Sequence, residues 1–293
     1  MSSGELGYAV VTPAWNEADN LPRLAGRIAS QTRLPSAWAI VDTGSTDTTR
    51  DVAAGLAREH SWIRAVSLEP TAAARGGPVV RAFKAGLIEL RTELPEVVVK
   101  LDADLDFEDD YFERFVDAFA ANPALGIASG LCYEQVDGEW RPGFGTRSHV
   151  WGASRAYRRE CLREVLPLEE RQGWDEIDAI KAQLRGWEVG TLFDLPFRHL
   201  RPEGGRDGGR KRWFDQGDTA RYMGYRFSYL VGRALFRARR DPAALAMVPG
   251  YLGASLRRAP VLPDADARAY VRRAQRLREL PLRAREARGR PAV

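Results

Sequence analysis

Two carboxylates two residues apart, Asp102 and Asp104, close the run Val97-Val-Val-Lys-Leu-Asp-Ala-Asp104. Residues 97–99 and Leu101 predict a strand covered on both faces, because such a strand reads as a continuous apolar run. If extended backbone persists past Leu101, the two aspartates point the same way. Converging carboxylates repel, and a hard divalent cation, Mg2+ or Mn2+, offsets that repulsion. Ligands of open α/β sheets bind just outside the carboxyl ends of strands, so the pair stands where a metal–phosphate site is expected. The competing reading is a solvated acidic loop, since Asp106, Glu108, Asp109 and Asp110 follow.

The elements that must position this pair can be read around it. Residues 8–13 predict a first strand stopped by Pro13; after the loop Ala14-Trp-Asn-Glu-Ala-Asp-Asn20, Leu21, Leu24 and Ile28 fall at helical spacing, with Asp19 or Asn20 as N-cap. Residues 38–42 predict a second strand, followed by the polar turn Thr43-Gly-Ser-Thr-Asp47, whose Ser45 or Thr46 would cap a helix through Val52 and Leu56. A strand at 63–67, a loop at 72–78 and a helix at 79–90 precede the Val97 strand. This alternation predicts an α/β fold with a doubly wound, mainly parallel sheet. Further on, the pattern predicts helices over 111–121, 155–165 and 174–184, the last ended by Gly186. Strands are expected at 126–133 and 189–195, with a hairpin at Asp137-Gly-Glu. Residues 203–212 read as a Gly/Arg loop, followed by helices over 220–239 and 267–280.

A content of 44% hydrophobic and 29% charged residues is that of a globular protein. The longest apolar stretches, such as 245–252, are interrupted by Pro249 and Gly250 and fall short of a bilayer span. Met1-Ser-Ser-Gly-Glu lacks the basic and apolar regions of a signal peptide, which predicts a cytoplasmic protein with Cys132 and Cys161 as free thiols. Two cysteines and three histidines exclude a zinc-finger framework. The net charge of +4 conceals an asymmetry: residues 201–293 carry 22 basic and 9 acidic side chains, leaving the first 200 residues net acidic. An acidic front and a basic rear suggest a metal site ahead of a surface for phosphate groups, a membrane face or nucleic acid.

Four strand-end motifs, Pro13-Ala-Trp-Asn-Glu17, Val41-Asp-Thr-Gly-Ser-Thr-Asp47, Lys100-Leu-Asp-Ala-Asp104 and Gly173-Trp-Asp-Glu176, together resemble the family-2 glycosyltransferases of the GT-A fold. The resemblance covers roughly residues 8–200, with 201–293 left as a basic loop and helical extension. It implies a UDP-, GDP- or dTDP-linked sugar as donor, a saccharide or lipid-linked acceptor, and a divalent metal. In this reading Pro13, Trp15, Asn16, Glu17, Asp42 and Gly44 bind the donor, with Glu17 and Asp42 accepting from its base and ribose; carboxylates are acceptors only and suit N–H and O–H groups. Capping of a turn is the alternative for Asp42, and Asp47 and Ser45 brace the turn. Arg75, in Arg75-Gly-Gly-Pro, matches a loop beside the diphosphate. Asp104, with Asp102 alongside, would hold the metal, and His199 matches a position where some relatives supply a histidine to it. Asp102 and Arg206 complete the expected donor set, Arg206 with Arg210 and Lys211 in a glycine-rich lid.

Family members that invert the sugar use a carboxylate at a helix start as general base. Here the pair is reversed, Asp175-Glu176, and counting back from Lys181 and Gly186 puts Asp175 at the base position, with Glu176 the alternative and Asp178 a structural partner. Trp151 and Gly152 fall where the acceptor loop is expected, Trp151 serving either as a stacking face for a sugar or as a core side chain. The arginine-rich tail, with Tyr229, Leu230, Leu252 and Tyr270 interleaved, resembles amphipathic helices lying on anionic lipid, or else a solvated face or dimer contact. Nucleic acid is not expected, because no recognition motif accompanies the charge. The rival activities are a sugar-phosphate nucleotidyltransferase, whose glycine- and lysine-rich first loop is missing, and a non-catalytic binding protein.

Overall fold

The computed structural model describes residues 6–70, 76–92, 94–143, 149–201, 209–239 and 241–276. The chain divides into two compact units, Met1–Arg201 and Pro202–Val293. The first runs β1 (Tyr8–Ala14), α1 (Asn20–Ala29), β2 (Ala37–Asp42), α2 (Thr49–Glu59), β3 (Ile63–Ser67), α3 (Gly77–Glu89), β4 (Val97–Leu101) and β5 (Leu105–Phe107). It continues with α4 (Tyr111–Ala121), β6 (Leu125–Val136), β7 (Glu139–Pro142), β8 (Ser154–Arg158), α5 (Arg159–Val165), α6 (Trp174–Leu184) and β9 (Glu188–His199). Sheet order is β3-β2-β1-β4-β8-β6-β9-β5, with β7 paired to β6. Strands β1 to β4 run parallel, β8 is antiparallel to both β4 and β6, and β9 runs parallel to β6.

The apolar runs form strands because both sheet faces are covered. Tyr8 and Val10 enter one core with Leu24, Trp38 and Phe112, while Ala9 and Val11 enter the other with Phe83, Leu90 and Tyr157. Each large side chain so buried stabilises the fold by about 1.5–3 kcal/mol. Helix α1 contributes Leu21, Leu24 and Ile28, the stripe its spacing predicts. Cys132 and Cys161 are buried, and neither forms a disulfide among the described residues.

Several local expectations are corrected. Residues 155–158 are strand rather than helix, because β8 is bonded on both sides and turns Arg155 and Tyr157 to a shared buried partner, Asp178. Extended backbone does not persist through Asp104: β4 stops at Leu101 and a turn precedes β5, so the two aspartates meet different partners. Strand β9 reaches His199, well beyond residue 195, because its far end pairs with β5 and β6. Asp19 makes no side-chain cap bond to α1, and Ser45 and Thr46 do not cap α2. Instead Asp47 Oδ1 accepts from Thr49 N at 3.0 Å.

The second unit contains α7 (Gly209–Tyr222), α8 (Phe227–Ala238), a 3-10 turn at Pro242–Ala246, α9 (Met247–Leu256) and α10 (Ala265–Ala274). Arg210 and Lys211 therefore lie in the first turn of α7 and not in a loop, and Lys211 pairs with Asp215 at 2.9 Å. The helix expected over 220–239 is interrupted at Gly224, whose φ of 78° leaves the helical region. Helices α7 and α9 meet at two glycines: a Cβ on Gly217 or on Gly250 would stand 2.1 Å from a carbonyl oxygen of the facing helix. Apolar side chains remain exposed here among arginines, Leu256 at 85% and Phe236 at 63%. No helix of the described residues is long and apolar enough to cross a membrane.

Candidate active site

The loop after β1 is stitched to the turn after β2. Asn16, at φ 55°, donates its N–H to Ser45 Oγ at 2.9 Å and accepts Thr46 N–H on Oδ1 at 2.8 Å. Asn is among the few residues that visit this left-handed region routinely. Glu17 N–H reaches Thr49 Oγ1 at 2.7 Å, and Pro13 lies in register with Val41. Trp15 is 45% exposed. Asp42, at the end of β2, accepts Ser45 N–H on Oδ1 at 3.0 Å. Its buried Oδ2 has no hydrogen bond and lies 3.5 Å from Arg50 Nε. A buried acceptor without a donor is one that a ligand hydroxyl or N–H can satisfy. Gly44 turns beneath Pro70. Arg75 and Arg206 lie outside the described residues.

Across the sheet, the turn after β4 brings Asp104 against the end of β9. Arg201 Nε donates to Asp104 Oδ2 at 2.7 Å, and its Nη2 donates to Glu17 Oε1, so one guanidinium joins the loops after β1 and β4. Glu17 Oε2 accepts from Asn20 Nδ2 at 2.7 Å. His199 Nε2 lies 3.3 Å from Asp104 Oδ1. Burial works against charge on Asp104, but His199 and then Arg201 outweigh it and hold the carboxyl well below its usual range. Asp104 in turn raises His199 against the effect of burial. Asp102 takes another partner, Lys100 Nζ at 2.5 Å; burial raises its pKa, with Lys100 opposing and Asp104 adding to the rise.

Among the described residues no group of three His, Cys, Asp or Glu side chains is gathered closely enough to hold a metal alone. The Asp104–His199 pair nevertheless offers the carboxylate and imidazole donors that a divalent ion such as Mn2+ accepts. The residues fit such an ion if the other ligands come from outside the protein and Arg201 gives up its place on Asp104.

Lys100 connects this centre to the loop before β8. Its buried ammonium also donates to the Gly152 carbonyl at 2.8 Å and lies 6.0 Å from the Trp174 ring centroid. A Cβ on Gly152 would come within 3.2 Å of Asp175 Oδ2, so the missing side chain leaves room for this carboxylate at the start of α6. Asp175 is half-buried and Glu176 exposed. Asp178 faces inward, where Arg155 Nε at 3.2 Å and Tyr157 OH at 2.5 Å occupy it. Arg155 also donates to the Asp175 carbonyl at 2.7 Å, fixing the first turn of α6. Trp151 packs against the core, edge-on to His149 at 4.7 Å, with its Nε1 buried and unbonded.

The structure thus brings Glu17 and Asp104 to one cation, and Gly152 to Asp175. Sequence reasoning missed Arg201, Lys100 and Arg155. Lys100 was visible as the cation preceding the acidic pair, whereas nothing in the sequence marks Arg201 except its place two residues after His199.

The fold resembles several solved structures. One is a mannosyltransferase, PcManGT from Pyrobaculum calidifontis in complex with GDP-Man and Mn2+ (TM-score 0.56, 18% identity, 97% of this chain and 84% of that chain). Another is S. aureus TarS 1-349 in complex with UDP-GlcNAc (TM-score 0.55, 17% identity, 74% and 66%). A third is GalNAc-T7 with UDP, GalNAc and Mn2+ (TM-score 0.58, 14% identity), of which the match covers about half, 51%, against 82% of this chain. These likenesses establish the GT-A fold. No curated protein matches the sequence. The sequence model of glycosyl transferase family 2 matches residues 9–166, just over half of the chain. With a GT-A sheet beneath that match, the chain belongs to glycosyl transferase family 2.

Proposed function

We propose that the protein is an inverting glycosyltransferase moving a sugar from a nucleoside-diphosphate donor to a hydroxyl of a saccharide or lipid-linked acceptor. The observation that supports this most is the meeting of Glu17 and Asp104 at Arg201. Acceptor-only carboxylates from two adjoining strand ends share one cation there, an arrangement suited to a nucleoside and its diphosphate. The structures of similar fold were captured with GDP-Man, UDP or UDP-GlcNAc, which agrees with a donor of this class.

Glu17 and the unbonded Oδ2 of Asp42 accept from the nucleoside. Asp104 and His199 would hold Mg2+ or Mn2+, which when bound neutralises the leaving diphosphate. Asp175 takes the proton of the acceptor hydroxyl, whose oxygen attacks the anomeric carbon as the bond to the diphosphate breaks on the opposite face. Asp175 suits this role better than Glu176 because it is half-buried beside Gly152, on a turn that Arg155 fixes, and Asp178 is already spent on Arg155 and Tyr157. Trp151 stands beside Gly152 to meet the acceptor sugar. Residues 1–200 carry the chemistry. The basic second unit, with leucines and phenylalanines exposed among arginines, holds the enzyme at an anionic membrane face where a lipid-linked acceptor would be. A thermal-shift series with UDP, GDP and dTDP, each with Mn2+, tests the donor reading; no stabilisation by any of them rejects it.

A further inference from the structure

Arg201 reaches solvent where the carboxylates it joins hardly do. Its side chain is 40% exposed, whereas the carboxylates it joins, Glu17 and Asp104, are 7% and 9% exposed. Among the described residues, Asn20 and Arg201 bond to Glu17, and His199 and Arg201 face Asp104. Arg201 thus takes one oxygen from the carboxylate that suits the nucleoside and one from the carboxylate that suits the metal. A second arginine, Arg23, is directed elsewhere, onto the Leu105 carbonyl at 2.8 Å and the Ala103 carbonyl at 3.3 Å. Among the described residues, Arg201 is the arginine whose hydrogen bonds fall on both carboxylates.

From this geometry we infer that Arg201 is an exchangeable counter-ion that couples the binding of metal and nucleotide. The inference rests on the donor-site reading of Glu17 and Asp104. With the cleft empty, Arg201 supplies the positive charge the two buried carboxylates require. A divalent ion that ligates Asp104 displaces the guanidinium from Oδ2, and that displacement also withdraws it from Glu17 Oε1, where the nucleoside can bond. The reverse holds as well: a nucleoside that claims Glu17 loosens Arg201 from Asp104. Each ligand does part of the work of release for the other, so each tightens the other by the same factor. The freed guanidinium, a planar fork of donors, is chemically matched to diphosphate oxygens. Arg201 is a positioning residue in this scheme, and bonds the acceptor at no stage.

The test is a titration of the full chain with Mn2+, followed by its EPR signal, with and without UDP, GDP or dTDP. Wild type is compared with Arg201→Gln and Arg201→Lys, and thermal melts verify folding. In the nucleotide-free arm, Arg201→Gln should bind Mn2+ more tightly than wild type, by about fivefold or more, the lower end of usual coupling factors. Nucleotide should then add less to its metal affinity than it adds in wild type, with Arg201→Lys falling between. A merely structural role predicts weaker metal binding in the variant. Unchanged or weaker Mn2+ binding without nucleotide overturns the inference, and so does a lack of Mn2+ binding by both proteins. If the gain appears but no nucleotide binds either protein, the counter-ion role stands and the donor-site reading fails.

Discussion

Asp178 and Asp104 are both buried carboxylates gripped by an arginine, in the same unit and from neighbouring parts of one sheet, but water reaches their arginines differently. Arg155 is fully buried and donates to Asp178, Tyr157, the Val150 carbonyl and the Asp175 carbonyl. Arg201 has 40% of its side chain in solvent and, among the described residues, its side chain donates to two carboxylates. The first cation is enclosed on all sides by groups that do not leave. The second is held on one side, and a ligand can take its place from the other. Exposure of the arginine, more than the presence of an ion pair, separates framework from site.

The largest effect that would sharpen this contrast is on stability. Arg155→Met strands a buried carboxylate and should cost about 3–5 kcal/mol in urea unfolding; a cost near zero would remove Asp178 from the framework. Asp175→Asn should lower transfer roughly 10²–10⁴-fold while leaving donor binding and stability near wild type, measured by product formation and by nucleotide-induced thermal shift. Normal turnover in that variant returns the base to Glu176. Arg201→Gln should cost clearly less than Arg155→Met, because Asn20 still bonds Glu17, His199 still faces Asp104 and water reaches the place of the exposed guanidinium. If it costs as much as Arg155→Met, the two clusters are not different in kind.

The smallest expected effect comes from a carboxylate outside both clusters. The Gly7 N–H, at 2.9 Å, is the main cause of a lowered Glu96 pKa. A carboxyl depressed in the folded state contributes stability above its unfolded pKa, about 4.3, and loses it as pH falls through the lower folded value. Glu96→Gln should therefore lower stability slightly at pH 7 and flatten the profile as pH falls below about 4.3, as read from denaturant midpoints.

The donor half was legible because its strands, buried on both faces, are written as apolar β-branched runs with polar residues at their ends. Tyr8, Val41 and Val99 signal strand, and Glu17, Asp42 and Asp104 stand out where the runs stop. Strand β8 was not legible, because Ser-Arg-Ala-Tyr-Arg shows no apolar run: its buried positions are filled by an arginine and a tyrosine satisfied by Asp178, a partner 23 residues from Arg155. The start of α7 was hidden by glycine- and arginine-rich composition, which reads as loop until packing against α9 is known. Arg201 was hidden for a related reason. Its partners are 184 and 97 residues away in the chain, and long-range ion pairs leave no local pattern.

The close contact at Gly217 and Gly250 bears on how this protein can change over evolutionary time. Where two helices rest on each other's main chain, exposed side chains that make no bond across the pair take little part in keeping them together. Exposed positions such as Leu252 can then be rewritten, one lineage at a time, without disturbing that contact. The two glycines cannot, since even alanine would collide with a carbonyl oxygen.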